Sequence, residues 1–246
     1  MGEVHRGRAR RRTLPPPAPT LSLVTSQGER VAVLIPVKAF RVAKGRLAGA
    51  LSPSERVELA RSMAGAVVAA GSPRPVHIVC DDEEVADWAD SVGATVIWKP
   101  GRGLNAAVSE GVAELGAAGF HRVIVAHADL PHAIGFDAVM DILTPSRETL
   151  IADSRDDAAH DTAPDSPGVA RAPVVLVPDR HDDGTNVISL PTGTGFRFEY
   201  GPGSCARHRA EARRLELPVI VVRDARLGWD VDRPADLEPP DWSTQP

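Results

Sequence analysis

Val31-Ala32-Val33-Leu34-Ile35 is an unbroken apolar run, and it passes at once into Pro36-Val37-Lys38 and then Lys44-Gly45-Arg46-Leu47. A segment apolar at every position, not every second one, reads as a strand covered on both faces, the mark of a parallel sheet interior. In open α/β sheets ligands sit beyond the carboxyl ends of the strands. A buried strand that empties into a loop carrying Lys38, Lys44 and Arg46 therefore predicts an anion site at that loop. The glycine patterns of dinucleotide-binding and P-loop proteins are absent, so side-chain cations would meet the phosphates.

Outward from this strand the chain alternates. Ser52-Pro53-Ser54-Glu55 opens a helix, with Ser52 as N-cap, Pro53 at the first helical position and Glu55 closing a capping box. Val57, Ala60, Ala64 and Val67 give that helix one apolar face. Strands are expected at Val76–Cys80, Ala94–Trp98 and Arg122–Ala126, with helices at Glu83–Ser91 and Leu104–Ala118 between them. This alternation predicts a mostly parallel sheet with helices on both faces, an α/β/α sandwich in one domain. Beyond Pro131 we expect a helix over Phe136–Leu143, a short strand over Thr149–Ala152 and strands at Val174–Val177, Asn186–Leu190 and Pro218–Val222. A further strand over Phe196–Tyr200 and a helix over Ser204–Leu215 complete the reading.

Composition sets limits. The chain has 246 residues, 43% of them hydrophobic, which is enough for a large core. Its net charge is −5, and residues 1–12 carry five arginines against one glutamate, so the body is more acidic than the whole. That argues against a nucleic-acid binder. Cys80 and Cys205 are the only cysteines and form no metal-ligand spacing; a reducing cytoplasm is the expected location. No apolar run is long enough for a membrane span. Residues 1–29 read as a disordered basic and Pro-rich leader, 30–240 as the domain, 153–172 as a flexible insertion and 241–246 as a tail.

Two acidic stretches complement the basic loop. Asp129, in Ala128-Asp129-Leu130-Pro131, follows the apolar Val123–Ala126. Asp230 and Asp232 stand two apart in an extended segment, where alternate side chains share a side. Carboxylates from distant strand ends facing cations are what a metal-dependent transfer onto a nucleotide phosphate needs, so Asp129, Asp230 and Asp232 are candidate Mg²⁺ ligands. Each has a plainer reading, as a helix cap in particular for Asp232. Tyr200-Gly201-Pro202-Gly203-Ser204 places free N–H groups at a helix entrance, suited to phosphate or carboxylate, although Ser204 also reads as a simple N-cap. Asn105, in Gly103-Leu104-Asn105-Ala106-Ala107, is a candidate for a base edge, a ribose or a cap.

These stretches, with Pro178-Asp179-Arg180-His181, Asp183-Gly184-Thr185-Asn186 and Asp230-Val231-Asp232-Arg233-Pro234-Ala235-Asp236-Leu237, resemble the guanylyltransferases of coenzyme F-420 biosynthesis. That family comprises 2-phospho-L-lactate and phosphoenolpyruvate guanylyltransferases. The resemblance spans about Val31 to Leu237 and implies a nucleotidyltransferase-type Rossmann-like fold. It implies transfer of GMP from GTP to a three-carbon phosphorylated acid, giving enolpyruvyl-diphospho-guanosine when the acid is phosphoenolpyruvate. Phosphoenolpyruvate is taken as acceptor because the Arg- and Ala-rich composition suits a high-GC actinobacterial source. Implied roles are acceptor binding for Thr185, Gly201 and Ser204, and metal binding for Asp129, Asp230 and Asp232. Nucleotide binding falls to Lys38, Lys44, Arg46 and Asn105, with Lys38, Lys44 and Asp129 as the catalytic set. Partners are GTP and the acid, with a homodimer left open. The chain departs from the family at Asp182, an extra negative charge beside Asp183 where a small residue is expected. Other nucleotidyltransferases, acting on a sugar phosphate or the molybdopterin cofactor, are the nearest alternatives. A glycosyltransferase is disfavoured because nothing follows the terminal acidic motif to hold an acceptor.

Overall fold

In the computed structural model the described residues are 30–141 and 172–240. The expected Thr149–Ala152 strand, nearly all of the 153–172 insertion, the leader and the tail lie outside them. Seven strands form one sheet in the order β3-β2-β1-β4-β6-β5-β7. They are β1 (Val31–Pro36), β2 (Val76–Cys80), β3 (Thr95–Trp98), β4 (Arg122–Ala126), β5 (Val174–Pro178), β6 (Thr185–Pro191) and β7 (Val219–Val221). Every neighbouring pair is parallel except those made by β6, which runs antiparallel to β4 and to β5.

The apolar run of β1 serves two cores at once. Val31, Val33 and Ile35 face one side of the sheet, beneath α1 (Pro53–Gly71), α2 (Glu83–Ser91) and α4 (Asp137–Met140). Ala32 and Leu34 face the other, beneath α3 (Gly103–Ala117) and α5 (Ser204–Arg214). Double coverage explains why the strand tolerates no polar residue. Burying Leu34 fully is worth about 2 kcal/mol relative to exposure.

Helix α1 starts as its sequence dictates. The Ser52 hydroxyl accepts from Glu55 N–H at 3.4 Å and the Glu55 carboxylate accepts from Ser52 N–H at 2.7 Å. Two expectations need correction. The helix near Phe136 is a single turn, Asp137–Met140, as far as the described residues run. Phe196–Tyr200 joins no strand ladder: Phe196 and Phe198 are buried in the core, but side chains take its backbone N–H groups, Glu211 that of Arg197, His208 that of Glu199 and Asn105 that of Tyr200. One polar group deep in the sheet has no sequence signal. Arg122 is 1% exposed and donates to Pro173 O and to Ser189 Oγ, each at 3.1 Å, tying β4 to β6 and to the entry of β5.

The connections decide where a ligand sits. From β1 the chain moves one way across the sheet through α1 and α2 to β3, then returns under the other face through α3 to β4. The sense of winding therefore reverses between β1 and β4, and the loops leaving these two strands diverge to leave a crevice.

Candidate active site

A cavity of about 520 Å³ opens at that crevice. Its walls come from the loop after β1 (Val37, Lys38, Phe40, Lys44), the end of β2 (Cys80, Asp81), Lys99 and the first turn of α3 (Gly103, Leu104). His127, Ala128 and Asp129, which follow β4, close it. The size suits a nucleoside, and aliphatic walls with a few cations at the rim suit a flat base carrying phosphates. Lys99 pairs with Glu110 at 3.6 Å and with Glu114, so its ammonium is held at the wall.

The basic loop and both acidic stretches meet at one point. Lys44 adopts a left-handed backbone (φ 55°) and turns its side chain inward. Its ammonium donates to Asp129 Oδ2 at 2.7 Å, to Val231 O at 2.6 Å and to Asp232 Oδ1 at 3.3 Å. Arg46 donates to the other Asp232 oxygen at 3.0 Å. The backbone closes the same knot, since Val231 N–H donates to Asp129 O at 3.2 Å. Burial alone would lower the Lys44 pKa, but the charges of Asp129 and Asp232 outweigh it and hold the ammonium above its ordinary range. Burial likewise works to raise Asp129, and Lys44 overcomes it, leaving that carboxyl below the usual range. Both shifts favour the ionised pair.

Asp230 stands beside this knot. Burial and the nearby Asp129 charge push its carboxyl up, the behaviour of two carboxylates short of positive charge between them. Asp129 Oδ1 is buried and makes no hydrogen bond. An orphaned carboxylate oxygen next to a second carboxylate with a raised pKa fits a cation that binds both. Among the described residues no three His, Cys, Asp or Glu groups close into a ligand set; the Lys44 ammonium bridges Asp129 and Asp232 instead.

The acidic loop is held by motif residues to which the sequence assigned no role. Asp236 accepts from the N–H groups of Asp232 (2.8 Å) and Arg233 (2.7 Å). Arg233, not Asp232, stands at the N-cap of the short helix Pro234–Leu237, and Asp236 reaches back from inside it, which leaves the Asp232 carboxylate for Lys44 and Arg46. Arg180 pairs with Asp236, lies over the Trp229 ring at 4.3 Å and donates to Asp230 O at 3.0 Å. Asn186 donates to Leu227 O at 3.0 Å, anchoring the approach to Asp230 on β6.

The proposed acceptor residues gather on the other side, where β6 meets α5. Asp179 forms the turn before Thr185: its carboxylate accepts from the N–H groups of His181, Asp183 and Gly184 at 2.9, 3.0 and 2.8 Å. A Cβ on Gly184 would fall 2.8 Å from Asp179 Oδ2, so any larger residue would push that carboxylate off the N–H groups it accepts from. Asp182, the departure noted above, sits at φ 58° and pairs with Arg223 at 3.1 Å, which cancels its charge at the surface. Thr185 and Ser204 are both 1% exposed. Gly203, in the left-handed region at φ 74°, is the N-cap of α5, and Ser204 is the first helical residue, not the cap. The N–H groups at this helix entrance are partly committed, Ser204 N–H to Gly201 O and Cys205 N–H to Asp183 O, each at 3.0 Å. The Asn105 side-chain oxygen accepts from Tyr200 N–H at 2.8 Å and fastens α3 to the same loop. Lys38 lies exposed at the cavity mouth.

His127 and Tyr200 pack ring to ring with centroids 4.8 Å apart, and His127 Nε2 and the Tyr200 hydroxyl are buried without partners. His127 lines the cavity two residues before Asp129, and Tyr200 opens the glycine motif that leads to Ser204.

Comparison with known proteins bears on this geometry. The profile described as "Guanylyl transferase CofC like" matches residues 31–160. The chain is 34% identical over 209 residues to a phosphoenolpyruvate guanylyltransferase of Sphaerobacter thermophilus, covering 83% of this chain and 89% of that protein. It is 31% identical over 213 residues to a 3-phospho-D-glycerate guanylyltransferase of Phenylobacterium zucineum, covering 82% and 86%. Among solved structures, a nucleotide-diphospho-sugar transferase from Desulfovibrio desulfuricans G20, itself described only as a candidate of that kind, superposes with a TM-score of 0.61 at 16% identity, covering 85% of each chain. That likeness speaks for the fold alone.

Proposed function

This chain belongs to the CofC-like guanylyl transferase family, and from that premise we propose that it transfers GMP from GTP to phosphoenolpyruvate, releasing diphosphate in coenzyme F-420 biosynthesis. The observation that carries the reading is the convergence of Lys44, Asp129 and Asp232 from three distant parts of the chain at the rim of a nucleoside-sized cavity.

The chemistry needs little from the protein beyond charge and alignment. An oxygen of the acceptor phosphate, already ionised, attacks the α-phosphorus of GTP. A new P–O bond forms, the bond to the bridging oxygen breaks, and diphosphate leaves with the electron pair. Two polyanions a few Å apart in a partly dry cleft repel by several kcal/mol, so neutralisation dominates the barrier. Lys38 and Arg46 at the mouth draw in the triphosphate. Lys44, whose three ammonium protons go to Asp129, Val231 O and Asp232, ties the two acidic segments together and places a fixed positive charge beside the α-phosphate. Asp129, Asp230 and Asp232 are the residues that would hold Mg²⁺, which supplies Lewis-acid neutralisation of phosphate oxygens when bound. Thr185, Gly201 and Ser204 receive the three-carbon acid, and the first turn of α3 with Asn105 borders the nucleoside.

A second acceptor is favoured by one observation, the 31% identity to a 3-phospho-D-glycerate enzyme. It joins 2-phospho-L-lactate, which differs from phosphoenolpyruvate only at the carbon skeleton, whereas 3-phospho-D-glycerate carries its phosphate on C3 and a free hydroxyl on C2 that the pocket would have to pair. No helix among the described residues is long and apolar enough to cross a membrane, and we assign the reaction to the cytoplasm. Incubation with GTP, Mg²⁺ and phosphoenolpyruvate is expected to release diphosphate, with ATP, CTP and UTP giving far less. Absence of release with every nucleotide and all three acids would refute the proposal.

A further inference from the structure

His208 lies on α5, wholly buried, one turn beyond Ser204. The reaction as described makes no use of it, yet both its ring nitrogens are engaged. Nε2 accepts the backbone N–H of Glu199 at 3.0 Å. A ring nitrogen that accepts an N–H carries no proton, so the single N–H of the neutral imidazole must be on Nδ1. Nδ1 lies 3.0 Å from Thr185 Oγ1. His208 is therefore the donor of that bond and Thr185 the acceptor. A hydroxyl that accepts there keeps its own proton for a different partner. The surroundings hold this arrangement. Burial pushes the His208 pKa down to about 4, so the ring is neutral at physiological pH. The rings of Phe196, Phe198 and Tyr200 pack around it with centroids 5.8, 6.1 and 4.9 Å away and fix its plane.

We propose that His208 is a positioning residue that locks the Thr185 hydroxyl as a hydrogen-bond donor toward an anionic oxygen of the acceptor acid. The proposal rests on the assignment of Thr185 to the acceptor site made above. Its logic is one of polarity. A phosphate or carboxylate oxygen only accepts, so a hydroxyl free to rotate would meet it with a lone pair part of the time. A hydroxyl whose lone pair is already taken by His208 is oriented before the acid arrives, and that ordering is no longer lost on binding.

Three measurements test this. In the wild-type protein, side-chain ¹⁵N shifts should report a neutral His208 protonated at Nδ1 across pH 6–8; an Nε2–H tautomer or an imidazolium would overturn the proposal. His208→Phe keeps the ring volume but removes the donor. It should raise KM for phosphoenolpyruvate about tenfold, with KM for GTP within twofold of wild type. His208→Asn, whose amide offers an N–H at the Nδ1 position, should recover most of that loss. Thr185→Val should show the same KM pattern, and the double variant Thr185→Val/His208→Phe should be no worse than Thr185→Val alone, because the two act as one unit. Equal losses in both KM values, or additive losses in the double variant, would contradict it. A wild-type enzyme that turns over none of the three acids would instead count against the functional reading, and the nitrogen spectrum decides the tautomer without any turnover.

Discussion

The two sides of the cleft are built on opposite principles. On the β1–β4 side, cations lie around an open cavity of about 520 Å³ with aliphatic walls, and the polar work is done by a few long side chains at the rim. On the β5–β7 side, Thr185, Asn186, Ser204 and His208 are all buried, and none of them lines that cavity. The first arrangement suits a large ligand whose base needs room and whose triphosphate needs charge. The second suits a small acid whose few oxygens must be met by placed donors. The join between them is the Lys44–Asp129–Asp232 knot, and each prediction below is aimed at one side or at that join.

The join should give the largest effect. Asp129→Ala removes a carboxylate that both pairs with Lys44 and carries an orphaned oxygen for a cation. Diphosphate release should fall by about a thousandfold or more, with both substrates affected. A loss under tenfold would place the chemistry elsewhere. Lys44→Ala should cost about a hundredfold, mainly in kcat, since the lysine neutralises charge that grows in the transition state. A change confined to the KM for GTP would reduce Lys44 to a simple tether.

On the acceptor side, Gly184→Ala forces a Cβ to within 2.8 Å of Asp179 Oδ2 and opens the turn that leads to Thr185. Thermal unfolding should show a loss of about 1–3 kcal/mol, together with weaker acceptor binding and unchanged GTP binding. Parallel weakening of both ligands would erase the distinction between the two sides.

Stability away from the chemistry depends on pH, with no expected change in turnover at neutral pH. Burial depresses both His77 and His208 to about 4. In the unfolded chain each takes up a proton near its ordinary pKa of about 6.5. The stability they contribute is thus complete above that value and falls as pH drops from about 6.5 toward 4, on the order of 1 kcal/mol per pH unit for each. Scanning calorimetry should show this decline, and His77→Phe should flatten it; an unchanged slope would mean that His77 is charged in the fold.

What the sequence disclosed follows the same division. The β1–β4 side was legible because its signals are local: Ser52 and Glu55 cap α1, continuous apolar runs mark buried strands, and cations directly follow one of them. The acidic motifs were legible as types, yet their relation was not, because the bond from Lys44 to Asp232 joins residues 188 positions apart. Capping was the plainer alternative for Asp232 and Ser204; the N-cap positions belong to Arg233 and Gly203, and Asp232 is left for the knot. The reversed direction of β6 had no local sign, since a strand buried on both faces looks the same whichever way it runs. Arg180 and Tyr200 stand in recognisable motifs but, like His208, act through partners brought near by the fold, so no spacing pattern announces their roles.

The most direct test of the account is mass spectrometry of the product after GTP and Mg²⁺ are offered with equal phosphoenolpyruvate, 3-phospho-D-glycerate and 2-phospho-L-lactate. The account predicts one dominant species with the mass of enolpyruvyl-diphospho-guanosine, formed in step with diphosphate. GTP left intact beside all three acids, or GMP transferred only to a sugar phosphate added in their place, would contradict it.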